Sequence, residues 1–85
     1  MEVYYHPRFK RMYKKLSPQL KKLTKERIEL FRKEPNHPTL GTHKLHGPLA
    51  GFLAFWVDNR FRVMFEYEGK ERANLFEVGD HSIYE

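Results

Sequence analysis

Phe52-Leu53-Ala54-Phe55-Trp56-Val57, Phe61-Arg62-Val63-Met64-Phe65-Glu66-Tyr67 and Ala73-Asn74-Leu75-Phe76-Glu77-Val78 are three aromatic and β-branched runs, separated by Asp58-Asn59 and by Glu68-Gly69. Runs of this length broken by short turn signals specify three consecutive antiparallel strands. Alternation assigns their faces: Phe61, Val63, Phe65 and Tyr67 share one side, which leaves Arg62, Met64 and Glu66 on the other. Arg62 is therefore expected to project away from the core from the middle of a central strand. A backbone held in the ladder makes such an arginine a well-placed phosphate ligand.

Upstream of the strands the texture is helical. Glu2 to Tyr5 favour a short strand that His6-Pro7 stops, and Phe9, Met12, Tyr13 and Leu16 then recur at helical spacing with Lys10, Arg11, Lys14 and Lys15 between them. Ser17-Pro18 restarts a helix, with serine as cap and proline pre-set for the first turn, and Glu34-Pro35 ends it after Leu20, Leu23, Ile28, Leu30 and Phe31. Two amphipathic helices joined by so short a turn form a hairpin, and neither buries its apolar side alone, so the hairpin must lie on the sheet. Residues 35–51 hold three prolines and three glycines and are expected to be loop with one short extended piece. The fold class is α+β in the order β-α-α-β-β-β, an N-terminal strand and a helical hairpin packed on one face of an antiparallel sheet whose last three strands are a meander. A chain of 85 residues is expected to be a single domain over 1–85.

Charge is distributed unevenly. Residues 1–47 carry twelve Lys/Arg against four Asp/Glu, a balance of +8, whereas residues 48–85 carry four against seven, a balance of −3. A localised basic surface attracts polyanions because neutralising phosphates releases condensed counterions, so RNA, DNA or an acidic protein segment is the expected partner. Lys10, Lys14, Lys21, Lys22 and Lys44 are the expected backbone-phosphate contacts, joined by His46 and Arg60; a solvated helical face is the competing reading of the lysines. Cysteine is absent, which removes disulfides and thiolate metal sites. Met1 to Tyr5 has neither the basic start nor the apolar run of a signal peptide, and no apolar stretch reaches membrane-spanning length, so a cytoplasmic location without membrane contact is expected.

Five histidines are the second unusual feature. Histidine gives or takes a proton near neutral pH, and RNA cleavage by the neighbouring 2′-hydroxyl needs both actions together with a cation for the phosphorane. That chemistry needs no metal and no other cofactor. His43-x-x-His46 has no third ligand at a fitting spacing, so no metal site is expected. Glycine-rich phosphate loops, nucleophile elbows and paired acidic motifs are missing, which argues against nucleotide-driven, serine-nucleophile and two-metal chemistry. His81 follows the last strand and Tyr84 lies three residues beyond it. Both gain a role only if the end of that strand meets Arg62, which a meander permits.

In order, His43-Lys44-Leu45-His46-Gly47, Ala54-Phe55-Trp56-Val57-Asp58, Phe61-Arg62-Val63-Met64-Phe65-Glu66 and Val78-Gly79-Asp80-His81-Ser82-Ile83-Tyr84 resemble the RelE/ParE toxin superfamily of type II toxin-antitoxin systems, nearest to its YafQ-like and RelE-like mRNA interferases. The strand and basic hairpin from Tyr4 to Lys33 fit as well, so the likeness spans nearly the whole chain. The resemblance implies an mRNA endoribonuclease that inhibits translation, free or on the ribosome, kept silent by a cognate antitoxin that covers the basic surface. By position His81 matches a C-terminal histidine acting in proton transfer, Arg62 a strand arginine on the scissile phosphate, His43 the histidine of a His-x-Leu-x-Gly motif, and Tyr84 an aromatic used near the site; His81 with His43 is expected to shuttle protons, and Arg62 with Arg60 to stabilise the phosphorane.

The departures are specific. Trp56 stands where YafQ-like members have another catalytic histidine, Arg60 displaces an acidic residue before the next strand, and Leu53 stands where many members carry arginine or tryptophan. Two alternatives stay open on the sequence: a ParE-like gyrase inhibitor that performs no chemistry, and an inactive RNA- or ribosome-binding member.

Overall fold

A computed structural model describes residues 1–84, the side chains of Ser82 and Tyr84 apart. The chain runs through β1 (Glu2–Tyr5), α1 (Pro7–Lys14), α2 (Pro18–Lys33), β2 (His43–Lys44), β3 (Leu53–Trp56), β4 (Arg62–Glu68) and β5 (Arg72–Gly79), with short 3₁₀ turns at Pro38–Leu40, Gly47–Leu49 and His81–Tyr84. The α+β order expected from the sequence holds.

Each helix is started by the residues that announced it. The ring of His6 caps α1 through Nδ1, which accepts from the Arg8 amide at 3.1 Å, and Ser17 Oγ caps α2 by accepting from the Leu20 amide at 3.2 Å. Proline follows both caps, and basic residues close both last turns, where the helix dipole favours positive charge. The hairpin buries Phe9, Ile28 and Phe31 against Phe55, Val57, Val63, Phe65, Leu75 and Val78. Phe31 is the hub, its ring centroid 4.7 Å from those of both Phe55 and Phe65.

The sheet differs from the antiparallel one expected in two respects. Its order is β1-β5-β4-β3-β2, and β1 pairs with β5 in parallel, from Glu2 opposite Arg72 to Tyr5 opposite Leu75, so the sheet is mixed. The chain leaves β1 through the helical hairpin and returns along the far side of the sheet, and alternation within a strand fixes its faces but not its neighbour. The extended piece within 35–51 is β2, which adds a fifth strand by pairing His43 with Ala54 and Lys44 with Leu53.

One irregularity sets up the open face. Met64 pairs with Glu77 but Phe65 pairs with Leu75, leaving Phe76 as the extra residue of a β-bulge. Leu75 and Val78 both enter the helix-side core, so Phe76 and Glu77 both turn to the opposite face. β1 stops opposite Leu75, and from there α1 takes the edge position beside β5, sending Phe9 to the core and Arg8 and Met12 to the open side. No helix among the described residues is long and apolar enough to cross a membrane.

Candidate active site

The open face is organised by cross-strand rows. Residues paired across an antiparallel ladder point to the same side. One row runs His43, Ala54, Met64, Glu77, and the next runs Trp56, Arg62, Gly79. Beyond Gly79 the chain folds back in the turn that carries His81. Gly79 is required there, since a Cβ would stand 2.6 Å from Cγ2 of the buried Ile83.

Two depressions flank these rows. The first, about 450 Å³, is lined by Arg8 and Met12 from α1, Leu49 and Phe52 from the loop before β3, Met64, Phe76 and Glu77 from the sheet floor, and Ile83. Phe52 and Phe76 meet edge to face at 5.3 Å, and His6 lies against Phe76 at 4.9 Å. In this otherwise apolar cleft Glu77 Oε1 receives Arg8 Nε at 2.6 Å. The carboxylate side chain is 9% exposed and that of the arginine 61%, so the pair presents a guanidinium to solvent from a buried anchor.

The second depression, about 420 Å³, lies at the β3–β4 turn among Arg27, Thr39, Trp56, Asp58, Asn59 and Arg62. Asp58 Oδ1 accepts from the amides of Arg60 and Phe61 at 2.8 and 2.6 Å, which fixes the turn. Arg62 Nη1 donates to the Arg60 carbonyl at 3.3 Å, and the Arg60 guanidinium lies 6.0 Å from the Phe61 ring centroid. Arg27, on α2, donates from Nε to the Trp56 carbonyl at 3.1 Å, from Nη1 to Thr39 Oγ1 at 3.3 Å, and from Nη2 to the Thr39 carbonyl. It ties the helix, the loop and the end of β3 together.

The residues singled out in the sequence fall into three groups. Arg62 is on the outward face as expected, but it is the first residue of β4 rather than mid-strand, half-buried and opposite both Trp56 and Gly79. His81 is exposed two residues past Gly79, so the end of β5 does meet Arg62. The side chain of Tyr84 lies outside the described residues. His43 is on edge strand β2, three strand spacings from β5, which puts its Cα roughly 14 Å from that of Glu77. Its Nδ1 lies 2.8 Å from the Gly41 carbonyl and donates to it, which leaves Nε2 facing outward. Lys44 is exposed but pairs with Leu53, in the row of core Phe65, and so belongs to the other side of β2, while His46 and Arg60 are exposed in the flanking loops.

The helix lysines are elsewhere. Lys10 and Lys14, with Lys25, border a groove of about 350 Å³ whose walls are Tyr5, Phe9, Tyr13 and Ile28. That groove lies between the helices and β1, while α1 offers Arg8 and Met12 to the cleft. Lys22 is exposed on α2, and Lys21 offers its carbonyl to the Tyr13 hydroxyl. Of the five histidines, His6 and His37 are local caps, His37 Nδ1 accepting from the Thr39 amide at 3.2 Å. Among the described residues no group of three or more His, Asp or Glu side chains is arranged to hold a metal ion.

Glu77, Arg8 and Arg27 escaped the sequence reading. A strictly alternating β5 would turn Glu77 to the face opposite Phe76, and only the bulge moves it. Arg8 and Arg27 looked like two more charges among many.

Two comparisons by sequence return nothing: no family profile matches the chain, and no curated protein matches it. Solved structures do match. YafQ from E. coli superposes with a TM-score of 0.80 at 15% identity, over 98% of this chain and 96% of that one. A YoeB/ParE toxin from Agrobacterium tumefaciens gives 0.78 at 14% identity, over 95% and 99%. The toxin-antitoxin complex RelBE2 from Mycobacterium tuberculosis gives 0.71 at 16% identity, over 94% and 96%. The fold is that of the RelE/ParE-like toxins.

Proposed function

We propose that this chain is the toxin of a type II toxin-antitoxin pair, a cytoplasmic endoribonuclease that cuts mRNA and so stops translation. The observation that carries this reading is the row Trp56, Arg62, Gly79 on the open face, with His81 exposed two residues beyond Gly79, in a fold shared with YafQ and RelBE2. The Arg62 guanidinium and the His81 imidazole are two of the three elements that 2′-hydroxyl attack requires.

The third, a base, is Glu77. Its Cα lies on the same face as Gly79 and diagonal to Arg62, a separation of about 7–8 Å that long side chains bridge. Glu77 takes the proton of the 2′-hydroxyl, whose oxygen bonds to phosphorus as the bond to the 5′-oxygen breaks. His81 delivers a proton to that leaving oxygen, while Arg62, Arg8 and Arg60 hold the phosphorane charge. The products are a 2′,3′-cyclic phosphate and a 5′-hydroxyl, and no metal takes part. His43, on the far edge strand, holds the RNA backbone together with His46, and Lys44 reaches it from the rim of that edge. The ribosome positions the message, and the antitoxin, an acidic amphipathic segment, seats its apolar side in the groove of Tyr5, Phe9, Tyr13 and Ile28 with its carboxylates on Lys10, Lys14 and Lys25.

Primer extension on mRNA from briefly induced cells, beside a His81→Ala strain, tests the reading. New 5′ ends that vanish in the variant are expected, at a codon-related spacing if the ribosome positions the message. Intact messages in both strains would overturn it, and growth arrest with DNA damage would then point to gyrase.

A further inference from the structure

Trp56 is the one tryptophan of the chain and, at 43% exposure, is among its most exposed large apolar side chains. Trp56 ends β3, and alternation turns its ring to the open face because Phe55 and Val57 on either side are buried, so the indole forgoes hydrophobic stabilisation there. Its position is nevertheless fixed. A Cβ at Gly41 would stand 2.7–2.9 Å from three carbons of the indole, so one face of the ring lies directly on the Gly41 backbone. Gly41 has φ +55°, a left-handed conformation that glycine adopts without strain. The Trp56 carbonyl is held by Arg27, itself anchored on Thr39. The ring is thus a rigid plate, seated on one side and lining an open depression.

We propose that this plate is a nucleobase site: the free face of Trp56 stacks an unpaired base of single-stranded RNA next to the phosphate held by Arg62. The proposal rests on the RNA reading above for its ligand and not on cleavage. Stacking suits any base because every base has a π-face, and an immobile ring loses little entropy when it binds. The strand register supplies the spacing. Trp56 and Arg62 are directly paired, with Arg62 next to Gly79, so base, phosphate and leaving side fall on successive strands about 4.8 Å apart. That is the scale on which a nucleotide separates its base from its phosphate. Around the plate, Asn59 offers hydrogen-bonding groups to base edges and Arg62 offers positive charge to phosphate, while Thr39 is engaged by Arg27 and His37. Asp58 also lines the depression, with Oδ1 engaged by the amides of its own turn.

A single tryptophan makes the test direct. The full chain carrying His81→Ala, so that RNA stays intact, is titrated with a short single-stranded RNA and with an abasic oligonucleotide of equal length and charge. The expected result is quenching of Trp56 emission by the RNA and none by the abasic strand. In anisotropy measurements with labelled RNA, Trp56→Leu, which keeps an apolar group over Gly41, is expected to weaken binding about 5- to 150-fold, the stacking worth of one base, and Trp56→Phe to retain most of it. Circular dichroism verifies that both variants fold. Equal quenching by the abasic strand, RNA affinity unchanged in Trp56→Leu, or quenching only by an acidic peptide would each overturn the proposal. RNA that quenches Trp56 but is never cut by the parent would instead remove the endonuclease and leave the base site standing.

Discussion

On the helix-covered face of the sheet, Phe31, Phe55 and Phe65 are fully buried, with centroids 4.7 Å apart between Phe31 and each of the other two. On the opposite face the same strands carry Met64, Glu77, Arg62 and Trp56 around two open depressions. The first face is apolar and closed, and its residues answer only to each other. The second combines an ion pair at 2.6 Å, a half-buried arginine and an exposed indole, none of which a stable core requires. Burying a carboxylate beside a mostly exposed arginine adds little to stability, because solvent screens the pair and desolvation opposes it. The contrast separates what holds the fold from what is available for chemistry.

A paired substitution tests that separation most severely. Glu77→Gln keeps the size of the side chain and removes its basicity, so RNA cleavage should fall by about 10²–10⁴-fold, the usual contribution of a positioned base, with the melting temperature almost unmoved. Phe31→Ala should do the reverse, costing about 3–5 kcal/mol in denaturant unfolding by emptying the aromatic centre of the core. Cleavage measured on its remaining folded fraction should be near that of the parent. Loss of stability without loss of cleavage in Glu77→Gln would make the Arg8–Glu77 pair a structural tie between α1 and β5.

The closed face was legible in the sequence, and the open face only in part, for a physical reason. Helical spacing at Phe9 and Tyr13, caps at Ser17-Pro18, and alternation at Val63 and Phe65 are local signals, and each is where it was expected. Arg62 followed from the same alternation. Glu77 depended on one unpaired residue in β5, and nothing in Leu75-Phe76-Glu77-Val78 announces a bulge. The parallel pairing of β1 and the pinning of Trp56 on Gly41 join residues far apart in the chain. The helix lysines show another limit of a linear reading. A charge count ignores direction, and α1 turns Lys10 and Lys14 to one side while Arg8 faces the cleft.

That division of charge gives a smaller, separable effect. Lys10→Glu with Lys14→Glu should weaken binding of an acidic amphipathic antitoxin peptide roughly tenfold at low salt, at about 0.5–1 kcal/mol per interfacial charge. The loss should shrink as ionic strength rises, because the Debye length falls to about 8 Å at physiological salt. RNA cleavage by the same protein should change far less. Equal losses in peptide binding and in cleavage would show that both ligands use the helix lysines, and the two-face division would fail.

The smallest effect concerns the margin of the closed face at high pH. Burial raises the pKa of Tyr67, whose ring packs on Phe65 and Phe31, above the usual tyrosine value. Tyr5 is also raised by burial, with Arg32 opposing and Glu29 and Tyr13 adding to the rise. A group that releases its proton less readily when folded favours the folded state while it stays protonated in both. The contribution is therefore fully present below about pH 10, where unfolded tyrosine titrates, and is lost as pH rises toward the higher folded value. Tyr67→Phe should flatten the fall in melting temperature across that window, and ultraviolet titration of the native protein should show tyrosinate forming later than in the unfolded chain. Among the described residues that line the open face there is no tyrosine with a raised value, so RNA binding measured by Trp56 quenching should not track this step. A step in quenching that coincided with tyrosinate formation would mean that Tyr67, on the far side of β4, is mechanically coupled to the site through the strand that both share.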